Sequence, residues 1–483
     1  MSSQVNQSVY RELESVVGSE RITDEPVALD AYSLDVWCPG MMYVDRGQSL
    51  KHPSCIVFPE TTKEVSEVIR IAGNHLIPVV PRGGGAGDSG GAVPLCGGIV
   101  LDMKRMDAVK EIDEMSLAVT CQTGLLQVDL EDRLNEQGFT LNHLPASHYC
   151  STVGGFLSTR GSGVLSSKYG KIENIVMSLE IVLPNGEVAQ TPPVPQHSAG
   201  PDFNRLFIGA EGTLGVITEV TLQMYHLPRE RRFRGYLFKD LHTALEAGRR
   251  IMTKGLDPCV IRTYDKDDTR VMVKNVLGIE REDIGGYMIM GFDGQFEDIV
   301  ELQERQAMQI CNELGGEDLG REPGETWWNH RYDFYYPPHT LESKHYLYGV
   351  IDTIATYRDI ERVYTAMREV LYDKFSSYNF HFGGHFSHWY EWGTAFYPNF
   401  IVREPPDDPS QALQLYNDIF ETGIRAAIAN GGVLNEHHGV GLKLGRLMKE
   451  QYKEGFQIFQ AIKKALDPKD IMNPGKMGLD TRR

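Results

Sequence analysis

Five of the fifteen histidines fall in two short stretches, HFGGHFSH (His381, His385, His388) and NEHHGVG (His437, His438). Imidazole changes its charge near neutral pH and is the commonest nitrogen ligand of metals. Histidines gathered beside glycines on loops therefore point to one site doing acid–base or metal chemistry, where scattered ones would only fill surface and core positions. Two further groups suit such a site. Arg262, in PCVIRTYD, carries a guanidinium fork that binds carboxylate and phosphate alike. Tyr397, in YEWGTAFY, adds a phenol that could equally be a pocket wall.

A second kind of signal is backbone left bare. PRGGGAGDSGGAV, residues 81–93, holds six glycines in thirteen positions, and STVGGFLSTRGSGVLSSKYG and GAEGTLGVITE follow it in order. Successive unencumbered N–H groups form a concave nest for an anion, and glycine lets the chain approach a ligand closely. The first loop is expected to wrap a pyrophosphate. It is not a P-loop, since no Gly-Lys-Ser/Thr follows, nor a dinucleotide fingerprint, since no long helix opens directly after it.

Strands and helices must hold these loops. SCIVFPE, IPVV, GGIVLDM and SLAVTCQTG read as strands, and Thr61 with Glu64 forms a capping box for the helix TTKEVSEVIRIAGNH. Leu125, Val128, Leu130 and Leu134 give helical spacing that ends at Gly138. VMSLEIVLPNGEVAQT reads as a hairpin turning at Asn-Gly. DLHTALEAGRRIMTKG and RDIERVYTAMREVLYDKF read as long helices. The basic run HLPRERRFRG, residues 226–235, breaks the pattern and marks a domain boundary. TWWNHRYDFYYPP and HWYEWGTAFYPNF are dense in aromatics and suit either a pocket wall or a satellite core.

A chain of 483 residues exceeds one hydrophobic core, and its 41% hydrophobic and 24% charged residues are those of a folded protein. The net charge of −18 is spread along the chain, which argues against nucleic acid or anionic lipid as partner. No apolar run reaches the roughly 20 residues of a membrane span and no signal peptide is visible, so a cytoplasmic location is expected. The seven cysteines lie far apart without a C-x-x-C pair and are expected to be buried thiols.

PRGGGAGDSGGAVP, STVGGFLSTRGSG…SKYG, GAEGTLGVITE and the closing ALDPKDIMNPGK resemble the flavoproteins of the vanillyl-alcohol oxidase superfamily, over about residues 50–480. The nearest branches are the D-lactate and other D-2-hydroxy-acid dehydrogenases, the glycolate oxidase flavin subunit and alkylglycerone-phosphate synthase. The resemblance implies an α+β fold. An FAD-binding domain over residues 1–228 would have two subdomains split near 110–120. A cap or substrate domain would follow over 229–430, and a C-terminal segment, 431–483, would carry the His-His motif back to the FAD domain. It implies an FAD lined by Pro81, Arg82, Gly83, Gly84, Gly85, Ala86, Gly87, Asp88 and Ser89. Pro145, Ser151, Thr152, Gly154, Gly155, Thr159 and Ser162 would form a second wall. Glu211, Gly212, Thr213, Gly215, Val216 and Ile217 would form the third. No histidine stands among Gly87, Asp88 and Ser89, so the FAD is expected to be noncovalent.

The two branches imply different uses of the histidines. In the hydroxy-acid branch His381 and His388, spaced H-x6-H, with His437 at the position of that branch's metal-binding glutamate, would hold a divalent metal. His438 or His437 would take the substrate's hydroxyl proton while a hydride passes to flavin N5. Arg262 would clamp the anion and Tyr397 stand near the reacting carbon. In the synthase branch EHHGVG resembles a histidine triplet with Glu436 replacing the first member. Arg262 and Tyr397 match its substrate-anion arginine and its catalytic tyrosine, and the flavin works without net redox change. The expected activity is FAD-dependent oxidation of a small hydroxylated, anionic substrate of the 2-hydroxy-acid type; the alternative is a non-redox flavin alkyl transferase. The electron acceptor stays open among oxygen, a quinone and an electron-transfer flavoprotein, and the resemblance also admits a homodimer.

Overall fold

The computed structural model describes residues 5–48, 50–278, 281, 283–333 and 347–481. Their β-branched runs build the first sheet, ordered Ile22–Thr23, Cys55–Val57, Ile99–Asp102, Val79–Arg82. Its last three strands are parallel. Such strands are buried on both faces, which is why CIV and IVLD read as continuous apolar runs with no exposed residue. The helix Thr62–His75 packs on this sheet. Its start is the expected capping box: the Thr61 hydroxyl accepts from the Glu64 amide, and the Glu64 carboxylate accepts from the Thr61 amide, both at 3.2 Å.

The second sheet is antiparallel, ordered Val109–Asp113, Ala118–Gln122, Val216–Gln223, Val176–Val182, Val188–Gln190. The Asn-Gly hairpin is present, pairing Val182 with Val188. Val216–Gln223 alternates buried and part-exposed residues, as a half-covered strand does. Sequence reading passes over Val109–Asp113. VKEID has no fully buried residue because it is an edge strand.

The third sheet runs Glu317–Asp318, Glu230–Phe238, Gly286–Gly294, Val260–Tyr264, Phe380–Trp389, Gly393–Val402, Leu347–Val350, with Thr353–Thr356 also paired to Gly393–Val402. Helices Leu241–Thr253, Glu297–Glu313, Ile360–Phe375 and Pro409–Ala429 contribute to one apolar core with it. Trp389, Phe396 and Phe400 are fully buried there, so HWYEWGTAFYPNF is mainly a core strand pair. In TWWNHRYDFYYPP, residues 334–338 lie outside the described residues. The basic run at 226–235 is no linker. Residues 230–238 form a strand whose Arg231, Arg232 and Arg234 pair with Asp293, Glu304 and Asp318. Six of the seven cysteines are buried and all seven are free, as expected for buried thiols.

The closing segment returns to the first sheet. The Val79 amide donates to the Ile471 carbonyl at 2.7 Å and the Asn473 amide to the Val79 carbonyl at 2.8 Å. Another joint is electrostatic: fully buried Asp293 accepts from Lys168 at 3.1 Å, Tyr169 at 2.8 Å and Arg231 at 2.9 Å. Removing one partner strands buried charge. Asp293→Ala is expected to cost about 3 kcal/mol of stability, seen as a lower denaturation midpoint, while Asp283→Ala on the surface leaves the midpoint unchanged.

Candidate functional site

The glycine loops meet. A Cβ on Gly84 would overlap the carbonyl oxygen of Cys150, and one on Gly83 the hydroxyl of Thr152, so the first loop lies backbone-to-backbone against the second. A Cβ on Gly212 would come within 3.0 Å of Pro81, which joins the third loop to the first. Among the described residues the amides of Gly83, Gly84, Gly85, Ala86 and Gly87 donate to no protein acceptor, and none of these five residues is fully buried. That run of free donors is a cradle for an anion.

The same loops carry the C-terminal histidine motif. The Ser89 hydroxyl lies 3.2 and 3.1 Å from the carbonyl oxygens of His438 and Gly439. The Ser89 carbonyl accepts from the amides of Leu442 and Lys443. Glu211, buried, accepts the amides of Val440 at 2.5 Å and Gly441 at 2.9 Å. Asp88 pairs with the fully buried Lys443 at 2.9 Å. Lys476 donates to the carbonyls of Gly90 and Val93 at 2.6 and 2.7 Å, and Asn473 to those of Gly91 and Glu211. Burial raises the Glu211 pKa to about 7, against the pull of its two amides. It lowers that of Lys476 to about 8.

Three adjacent strands put Arg262, His385 and Tyr397 in a row. His385 lies opposite Tyr397 in register and stacks on its ring at 4.9 Å. Arg262 Nη2 lies 3.2 Å from His385 Nδ1, which must accept and is therefore neutral. Burial first, then Arg262 and the neighbouring imidazoles, hold the His385 pKa well below the ordinary value. Arg262 Nε is buried with no acceptor among the described residues.

His437 and His438 approach this row from the loop after the helix Pro409–Ala429. Their organiser is Asp352, buried between two strands. It accepts the amides of Glu436 at 2.9 Å and His437 at 3.1 Å, the Asn435 side chain at 2.8 Å and His438 Nδ1 at 2.8 Å. A carboxylate only accepts, so His438 carries its proton on Nδ1 and turns Nε2 toward the Tyr397 hydroxyl, 3.4 Å away. Burial opposes the charged form of His438, but Asp352 and Asp88 outweigh it and push its pKa up. In His437 burial and His438 prevail over Glu436, and the pKa falls to about 4. Burial would raise the Glu436 pKa, but Lys171, His388 and His437 hold it well below the ordinary range.

The structure brings together Arg262, Tyr397, His388, His437 and His438, but not His381. His381 and His388 end a seven-residue span of extended strand, which puts them roughly 20 Å apart. His381 instead lies among Asp267, Asp265, Arg403 and Arg368. His388 reaches the cluster because the strand bulges between Ser387 and Trp389, with His388 at φ 50°. Among the described residues, ligand-type atoms within 4.8 Å of one another occur in two groups, Asp352–His437–His438 and His388–Glu436–His437. Sequence reasoning missed Asp352, Lys171 and Lys443. Asp352 left one signal, a lone carboxylate in the apolar run GVIDTIA. Lys171 and Lys443 left none.

Residues 53–191 match the family described as FAD binding domain, and residues 227–477 the family described as FAD linked oxidases, C-terminal domain. This is an FAD-dependent oxidoreductase, with FAD as its cofactor. The chain belongs to the FAD-linked oxidase family. It is 29% identical to alkyldihydroxyacetonephosphate synthase of Trypanosoma brucei brucei, over 98% of this chain and 81% of that protein. It is 28% identical to the glycolate oxidase subunit GlcD of Bacillus subtilis, over 98% of this chain and 97% of the relative. A solved structure of an alkyldihydroxyacetonephosphate synthase superposes with a TM-score of 0.83 at 26% identity, covering 98% of this chain and 86% of that one. Among the described residues no helix is long and apolar enough to cross a membrane.

Two outcomes test the cradle. Gly84→Ala cannot keep the contact with Cys150 and is expected to purify with little bound flavin, read from the visible absorbance per chain. Glu211 concerns stability. Its folded pKa of about 7 lies above its ordinary 4.5, so between those values the folded state keeps a proton the unfolded chain releases, and stability falls as pH rises. Glu211→Gln cannot titrate, and the decline of Tm from pH 4.5 to 7 is expected to be shallower in the variant.

Proposed function

We propose that this flavoenzyme oxidises a small hydroxylated, anionic substrate of the 2-hydroxy-acid type, with His438 as the base. The amides of Gly83–Gly87 would hold the FAD diphosphate, which fits their lack of acceptors among the described residues. Bound FAD supplies the two-electron acceptor. The observation that carries the reading is the Asp352–His438 pair at 2.8 Å. Asp352 fixes the tautomer, leaves Nε2 bare for the substrate's hydroxyl proton and stabilises the imidazolium that results. Arg262 binds the substrate's carboxylate through its unsatisfied Nε–H and its fork, and His385 buttresses it as a neutral acceptor. Tyr397, beside Nε2, hydrogen-bonds the reacting oxygen and helps exclude water.

A second reading, alkyl transfer without net redox change, is favoured by the likeness to alkyldihydroxyacetonephosphate synthases along nearly the whole chain. The same base, arginine and phenol would serve a phosphorylated substrate. One experiment separates the two. A panel of D- and L-2-hydroxy acids, added anaerobically, is expected to bleach the flavin lastingly with at least one member. His438→Asn is expected to slow that bleaching about 10²–10⁴-fold with flavin content unchanged. A panel without effect, together with incorporation of a labelled fatty alcohol into an acyl-dihydroxyacetone phosphate while the flavin stays oxidised, would establish alkyl transfer instead.

A further inference from the structure

We propose that Lys171, rather than a divalent metal, supplies the cation at the His388–Glu436–His437 corner, and that it is a positioning residue for those two imidazoles. The resemblance to hydroxy-acid dehydrogenases implies a metal here, and the residues present do not fit one. His381, the expected third ligand, is a strand's length away. Glu436, the remaining carboxylate of the corner, is already filled. Its Oε1 takes Lys171 Nζ at 3.2 Å, the Ser162 hydroxyl at 3.1 Å and the Tyr390 hydroxyl at 3.1 Å. Its Oε2 takes His388 Nδ1 at 3.0 Å and contacts His437 Nδ1. A carboxylate offers about four lone-pair sites, and here three hydrogen bonds and the Lys171 ion pair occupy them, with His437 Nδ1 in contact as well. Asp352, the carboxylate of the neighbouring group, is equally occupied by two amides, Asn435 and His438.

Lys171 is built in rather than incidental. Its side chain is only 12% exposed, and its ammonium also donates to the Glu436 carbonyl. The backbone around it is fixed. Gly170 precedes it at φ 81°, its own amide donates to Asn174 Oδ1 at 2.9 Å, and the next amide, of Ile172, donates to the Gly161 carbonyl at 3.1 Å. The Lys171 ammonium thus reaches from the end of the second glycine-rich segment into the C-terminal motif. It keeps the carboxylate in place for His388 Nδ1, which hydrogen-bonds it, and for the His437 ring, whose Nδ1 touches the same oxygen. A divalent ion on the same carboxylate would face that ammonium across a few ångströms, and like charges so close repel strongly.

The test uses FAD-loaded enzyme and has two arms. The metal arm stands whatever reaction the enzyme catalyses; the kinetic arm rests on the oxidation reading above. In the first, elemental analysis of the purified wild type is expected to find far less than one metal per flavin, and added Zn²⁺ is not retained through gel filtration. Lys171→Met, with the carboxylate uncovered, is expected to retain about one Zn²⁺ per chain, and the double variant Lys171→Met/Glu436→Gln none. In the second arm Lys171→Met slows flavin reduction about 100-fold, Lys171→Arg recovers most of that loss, and methylammonium partly rescues Lys171→Ala, as a merely structural lysine would not allow. Chelator leaves the wild type unaffected. One metal per wild-type chain, or a flavin-loaded Lys171→Met enzyme that reduces its flavin at the wild-type rate, would overturn the assignment. If Lys171→Met does not fold, the wild-type metal content and the Lys171→Arg rate decide it.

Discussion

Contact between bare backbones is the constraint on which the rest of this protein depends. Gly83 and Gly84 lie against Cys150–Thr152, Gly441 against Ser89, and Gly212 against Pro81, each too close for a side-chain carbon or nearly so. The glycines answer two demands together. They let four segments remote in sequence touch, and they leave the amides of residues 83–87 without an acceptor among the described residues. An element with side chains could satisfy one demand but not both.

Around that contact the protein buries charge in matched sets. Glu211 and Lys476 brace the loops through amides and carbonyls, Asp88 pairs with Lys443, and Asp352 and Glu436 each gather several donors around the paired imidazoles. Uncompensated charges at these depths would cost several kcal/mol apiece, so each carboxylate comes with its donors. The outcome is a division of labour between neighbouring histidines. His438 is held by Asp352 with its pKa raised, while His437, at its side, is pressed down to about 4. Two identical side chains in sequence become unlike groups in space.

Much of this was legible before any coordinate. The capping box at Thr61–Glu64, the Asn-Gly hairpin and the helices at 241–253 and 360–375 rest on local rules, and local rules decided them. The glycine loops and the histidine motif were visible because glycine runs and histidine clusters are rare without a reason. What escaped were the partners. The metal pair His381–His388 came from the resemblance to hydroxy-acid dehydrogenases through its H-x6-H spacing, and spacing takes its meaning from the element: seven residues are two turns of helix but a long reach of strand. The bulge that turns His388 inward leaves no mark in HFGGHFSH. Lys171 and Asp352 act through contacts with a loop more than eighty positions away, and such pairings are set by the completed topology.

The return of the chain's closing segment to its first sheet has a consequence for biosynthesis. Lys476 holds the carbonyl of Gly90 across a separation of 386 residues, and Ile471 and Asn473 bracket Val79 beside the cradle. A ribosome releases the glycine loop long before it releases the residues that brace it. The nascent polypeptide therefore carries its glycine loop without these braces until the stretch from Ile471 to Lys476 has been made, after the paired imidazoles of His437 and His438 have already emerged.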